Sequence, residues 1–78
     1  MTIGQRAAKL VKERAWKRGT TFGVECDLLG VWDSQLRDWA NGKGNPSARV
    51  LAEMHEQGYD VIWILTGKES NNGRNKGS

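Results

Sequence analysis

Cys26-Asp27-Leu28-Leu29-Gly30-Val31-Trp32-Asp33-Ser34-Gln35-Leu36-Arg37-Asp38-Trp39 is the stretch that decides the fold. Two runs of helical periodicity flank a glycine, and only Gly30-Val31-Trp32 separates them. Phe22, Cys26 and Leu29 recur at i, i+4 and i+7, the inward stripe of a helix from Phe22 to Leu29 that Gly30 ends. Leu36 and Trp39 face inward from a following helix, about Asp33 to Asn41, closed by Gly42. So short a connection forces two helices to cross steeply, as in a helix-turn-helix unit. Such a unit needs a small residue four positions before the turn glycine, an inward residue just after it, and two apolar anchors on the second helix. Cys26, Gly30, Val31, Leu36 and Trp39 meet these needs in register.

Upstream, Ile3, Ala7, Leu10 and Val11 recur at helical spacing in a first helix from Thr2 or Ile3 to Lys17, stopped by Gly19. Arg6, Lys9 and Lys12 fall on its other side. Trp16 projects toward that basic side on an ideal wheel, and it is expected to pack over the end of the core, with a nucleic-acid contact as the alternative. Thr20 or Thr21 is placed to cap the next helix. Downstream, Lys43-Gly44-Asn45-Pro46 is a loop, with Pro46 suited to the first turn of a fourth helix that runs to about Gln57. Val50, Leu51 and Met54 form its apolar face, and Gly58 terminates it. Asp60 then caps a short fifth helix, Val61 to Thr66, apolar nearly all round and so buried against the bundle, a second subunit, or both. After Lys68 no apolar residue remains, so residues 69–78 read as a disordered tail or the start of a linker. The expected fold class is all-α: five helices in a single domain spanning 1–68.

A chain of 78 residues is one small domain that buries roughly 60% of its unfolded surface. Four Trp, one Phe and one Tyr supply much of the candidate core. One cysteine, Cys26, excludes an intramolecular disulfide. No apolar run approaches the roughly 18 residues that span a bilayer, so a soluble, cytoplasmic protein without membrane partners is expected. The only histidine, His55, and Cys26 lie on different predicted helices with no third ligand, which argues against catalysis, a metal site, a cofactor or a small-molecule ligand. The net charge is +3, unevenly spread. Arg6, Lys9, Lys12, Arg14, Lys17 and Arg18 stand against Glu13 alone near the N-terminus. From Phe22 to Asp38, Glu25, Asp27, Asp33 and Asp38 stand against Arg37. Asymmetry of this kind suggests one face that meets a polyanion, with a merely solvated basic helix as the plainer alternative.

With these residues in place, the chain resembles the Cro/phage-repressor type of helix-turn-helix family, the lambda-repressor-like DNA-binding domains, and phage immunity repressors in particular. Leu29-Gly30-Val31, Leu36, Trp39, Gly42, Asn45-Pro46-Ser47, Leu51 and the closing Gly58-Tyr-Asp-Val-Ile-Trp-Ile-Leu-Thr-Gly67 carry the resemblance, which covers roughly residues 3 to 68. Three positions depart from it. Trp32 stands where Ser or another capping residue is usual, which would let Asp33 cap the third helix and leave Trp32 exposed, stacked on DNA sugars or docked on a partner. Glu25 replaces an apolar residue, with a rotated or shifted second helix as the expected consequence. Phe22 replaces a polar residue that braces a phosphate or a base-reading side chain in relatives.

The resemblance implies sequence-specific binding of operator DNA by a phage or prophage transcriptional repressor acting as a dimer. Asp33, Ser34, Gln35, Arg37 and Asp38 would then face base edges in the major groove. Gln35 suits adenine, Arg37 suits guanine, and either Asp suits the cytosine amino group; the plainer roles are a helix cap for Asp33 and a surface or Arg-bracing carboxylate for Asp38. Asn41, Lys43, Asn45, Ser47 and Lys17 are the candidate phosphate contacts, with Lys9, Lys12 and Arg18 adding longer-range attraction. Ile62, Ile64 and Leu65 are candidates for a homodimer surface, with core packing as the alternative. A helix-turn-helix used to bind another regulator, or captured by an antirepressor through Trp32 and the acidic helices, is the competing function.

Overall fold

The Thr2 hydroxyl accepts from the Gln5 amide at 3.0 Å while the Gln5 side chain accepts from the Thr2 amide at 2.8 Å. That reciprocal cap starts the first helix of the computed structural model, which describes residues 1–68. The expected tail, 69–78, lies outside the described residues. Five α-helices and no strands make up the described part: α1 (Ile3–Arg18), α2 (Phe22–Leu29), α3 (Asp33–Ala40), α4 (Ala48–Glu56) and α5 (Val61–Thr66). Gly19, Gly30 and Gly67 end α1, α2 and α5 in the left-handed region, where a residue with a Cβ is strained.

α1 is the central element and packs against α2, α3 and α5; α2 also meets α3 and α4, and α4 meets α5. The shared core holds Ala7, Ala8 and Val11 of α1, Cys26 and Leu29 of α2, Val31 of the turn, Leu36 and Trp39 of α3, Val50 and Met54 of α4, then Tyr59 and Ile64. Ile3, Leu10, Phe22, Leu51, Val61 and Trp63 pack around it, partly buried. Small residues on α1 permit this closeness. At Gly4 an added Cβ would stand 2.5 Å from the Gly44 carbonyl oxygen and 3.0 Å from the Trp39 Cβ, so only glycine lets α1 lie against the chain that leaves α3.

Several expectations are corrected. Trp16 is 85% exposed rather than folded over the core. Its neighbour Ala15 holds the inward position, and one residue further is about 100° round the helix. α3 is not capped by Asp33: Trp32 occupies the N-cap, and the Gln35 side chain accepts from its amide at 2.9 Å. α4 begins after Pro46 rather than on it, because the Ser47 hydroxyl caps the helix by accepting from Val50. Asp60 does cap α5, accepting from Trp63. Yet α5 is buried on one side only: Ile64 is fully buried, while Ile62 and Leu65 are 52% and 42% exposed. Arg6, read from the sequence as part of the basic face, turns instead to the end of α5, donating to the Ile64 carbonyl at 2.8 Å and to the Leu65 carbonyl. A guanidinium there satisfies carbonyls that a helix end leaves without partners.

Glu25 is the one charged side chain buried in the described part, at 0% exposure. Thr20 donates to its carboxylate, and the Arg18 guanidinium lies 3.7 Å away. α2 therefore keeps Cys26 and Leu29 in the core despite an acid in its inner face, because the end of α1 brings both partners to it. Both partners meet Oε2 and offset part of the cost of burying the charge, while Oε1 has no hydrogen-bond partner. One turn earlier on α1, Arg14 stacks over the Tyr59 ring, 3.7 Å from its centroid, and donates to the Gln57 carbonyl at 2.7 Å.

Candidate nucleic-acid interface

α3 is anchored by Leu36 and Trp39, and the spacing of those two leaves the rest of its surface free. Asp33, Ser34, Gln35, Arg37 and Asp38 are all exposed. They form one polar face, although two are partly engaged within the helix. The Arg37 guanidinium lies 3.5 Å from the Asp33 carboxylate one turn earlier; Gln35 spends its side-chain carbonyl on the Trp32 amide. The Arg37–Asp33 pair is well exposed on both sides, so solvent screens it and it holds the guanidinium only weakly. The carboxylate that braces Arg37 is therefore Asp33, and Asp38 is a surface residue.

The chain leaving α3 turns sharply at Gly42 and Gly44, with φ of 82° and 76°. Asn41, Lys43, Asn45 and Ser47 are exposed along it. Two are already committed: the Asn45 side-chain carbonyl accepts from the Gly4 amide at 2.9 Å, and Ser47 caps α4. The Lys43 amide donates to the Asp38 carbonyl at 2.7 Å, which ties the loop to the end of α3 and leaves the ammonium free to reach outward. Asn41 closes α3 through its amide.

Lys12 is the residue whose place the sequence underrated. Its ammonium stands 6.0 Å from the centre of the Phe22 ring, at the outer limit of a cation–π contact. It shares with Phe22, Arg37, Ala40 and Asn41 a shallow cavity of about 300 Å³. α1, α2 and α3 thus converge on a cluster of two cations and an amide. Phe22 stands there in place of a polar bracing residue and holds Lys12 by its ring face instead. An adjoining cavity of about 350 Å³ continues along α1 past Lys9 and Gln5, although Lys9 is paired with Glu13 at 3.3 Å. Lys17 goes elsewhere. It lines a separate cavity of about 280 Å³ with Arg14, Arg18, Tyr59 and Asp60, and so is not gathered with Arg37 and Asn41.

The chain matches no known protein family, no curated protein and no solved structure.

The remaining predicted residues divide in two. Trp32 is 76% exposed at the start of α3. Ile62 and Leu65 are exposed on α5, whereas Ile64 belongs to the core and is removed from the candidate partner surface. Cys26 is buried at the base of α2, and burial first, then the charges of Asp33 and Asp27, raise its thiol above the usual range. No described helix is long and apolar enough to cross a membrane.

Proposed function

We propose that this chain is a helix-turn-helix domain of the lambda-repressor type that binds double-stranded DNA in a sequence-specific manner, with α3 in the major groove. The observation that carries the reading is the exposed polar face of α3, flanked by cations from three elements: Lys12 of α1, Arg37 of α3 and Lys43 of the following loop. An α-helix fits the major groove, and Ser34, Gln35 and Arg37 carry the donors and acceptors that read base edges there. Release of Arg37 from its exposed pair with Asp33 frees the guanidinium for a guanine. Lys12, Asn41 and Lys43 then meet the phosphates beside that groove, which sets register without reading sequence.

The biological role that best suits such a domain is a phage or prophage transcriptional repressor acting on operator DNA as a dimer. A unit this small contacts few bases alone, and a pair of copies on an inverted repeat doubles the contact. Ile62 and Leu65, three residues apart on the open side of α5, offer the apolar surface for that pairing. Sedimentation at rising concentration tests it: a strict monomer at high micromolar concentration counts against α5 as the contact.

The decisive experiment is titration of the chain into labelled random-sequence duplex at two salt concentrations, repeated with Arg37→Ala and Asn41→Ala. Binding at about 10 μM or below in low salt, falling steeply as salt rises, is the expected result, since phosphate contacts release counterions. Both variants should bind more weakly. Absence of binding, even when a fused coiled coil forces dimers, overturns the reading.

A further inference from the structure

On the other flank of α2 the surface changes character. Val24 and Leu28, one turn apart on α2, are 45% and 47% exposed, and Trp32 follows at 76%. Val24, Val31 and Trp32 line a groove of about 470 Å³ between α2 and the start of α3, and Asp27 and Asp33 stand in its walls with Thr21. None of its lining residues is basic. The negative potential is felt inside the fold: after burial itself, Asp33 and Asp27 are the next causes that push the thiol of Cys26, also in the groove wall, upward. Arg37 is held by Asp33 in an exposed and therefore weak pair, and the Arg49 guanidinium stands outside the lining, beside the turn at Gly30.

An exposed tryptophan beside aliphatic side chains and two carboxylates is unsuited to phosphates, which the carboxylates repel. It is suited to a protein segment with one bulky apolar side chain and flanking cations. Tryptophans of this kind become binding anchors when a partner desolvates them. The chain as a whole is cationic. At +3 it repels a cationic partner in general, so a basic peptide that binds must find a locally acidic site.

We propose that the α2–α3 groove is a docking site for a basic protein segment, with Trp32 and Val24 receiving an apolar side chain and Asp27 and Asp33 its flanking Arg or Lys. Asp33 also begins the helix assigned to DNA, so an occupied groove would displace DNA; that consequence alone rests on the DNA-binding reading. Docking is tested on the free protein and stands or falls independently of it.

The probe is a synthetic helical peptide with Leu at i and i+4 flanked by Arg, titrated into the isotope-labelled full chain and followed by amide NMR. A counterpart with Glu in place of Arg serves as control. The expected result is saturable shifts centred on Gly23, Val24, Val31 and the Trp32 indole with the Arg peptide only. The double variant Asp27→Lys, Asp33→Lys should weaken binding by about tenfold or more, equivalent to about 1.4 kcal/mol, and Trp32→Ser should do the same. All three side chains are exposed, and an unchanged spectrum elsewhere verifies that each variant folds. Equal binding of the Glu peptide, shifts centred on Ile62 and Leu65, unaltered affinity in the Trp32→Ser variant, or no saturable shift at roughly millimolar peptide each overturns the proposal.

Discussion

Replacing Gly4 by alanine sets two physical effects of opposite sign against each other. Alanine is the better helix former, worth up to about 1 kcal/mol per residue relative to glycine, so a reading of α1 in isolation expects a more stable protein. The tertiary structure expects the reverse. The new Cβ would stand 2.5 Å from the backbone oxygen of Gly44, 3.0 Å from the Trp39 Cβ and 3.3 Å from the Asn45 side-chain oxygen. The two nearest are a backbone oxygen and a Cβ, which cannot swing away, and the third is the Asn45 oxygen that the Gly4 amide already holds. Relief requires α1 and the 44–45 loop to separate, with an overpacking cost of about 1–3 kcal/mol. Separation also stretches the 2.9 Å bond from the Gly4 amide to Asn45, worth about 0.5–1.5 kcal/mol. Set against the propensity gain, the net loss is about 1–3 kcal/mol. At about 4–8 °C per kcal/mol for a domain of this size, thermal unfolding should show Tm lowered by roughly 5–20 °C. Urea unfolding should show a lower midpoint at unchanged slope. A Gly4→Ala protein as stable as the parent, or more so, would refute the claim that close approach is what requires glycine here.

Other perturbations follow from individual positions. Trp16→Ala should leave stability within about 0.5 kcal/mol, whereas Leu36→Ala, at a fully buried site, should cost about 2–5 kcal/mol; paired denaturation curves check both. Because the Cys26 thiol is buried and raised above its usual range, a thiol reagent at mildly alkaline pH should modify it only as the chain unfolds, so labelling across a urea series should trace the unfolding curve; rapid labelling of the native protein contradicts this. In DNA titrations over a range of salt, Lys12→Ala should reduce the slope of log affinity against log salt by about 0.9, and Lys17→Ala, on the other side of α1, should not. The opposite ranking would place the phosphate contacts on the wrong face. Arg14→Ala should cost about 1–3 kcal/mol, since it removes both a charged hydrogen bond and the stack on Tyr59, and Arg14→Lys should recover only part of that loss.

The helices and their order are written along the chain. Five apolar-periodic runs, each closed by a glycine (Gly19, Gly30, Gly42, Gly58 and Gly67), are local information, because capping, propensity and the left-handed preference of glycine act over a few residues. Cys26, Leu29, Val31, Leu36, Trp39, Val50 and Met54 were legible as core for the same reason: their spacing places them on one face, and a face of that kind must be covered. The polar face of α3 was legible as the complement of its two anchors.

Which residues stand next to one another across elements emerges only when the helices pack. Two neighbouring apolar residues, Ala15 and Trp16, compete for one inward position, and the small one takes it because α1 is packed closely by three other helices. Arg6 and Lys12 look alike on a helical wheel. α5 claims Arg6 for its terminal carbonyls, and Phe22 together with α3 gathers Lys12. Glu25 looks like an error in an apolar stripe until Thr20 and Arg18 are brought to it, and Ile64 parts from Ile62 and Leu65 only because α5 touches the bundle along one side. Burial, and pairing between elements such as Arg18 with Glu25, depend on neighbours outside the helix, so no periodicity along a single helix encodes them.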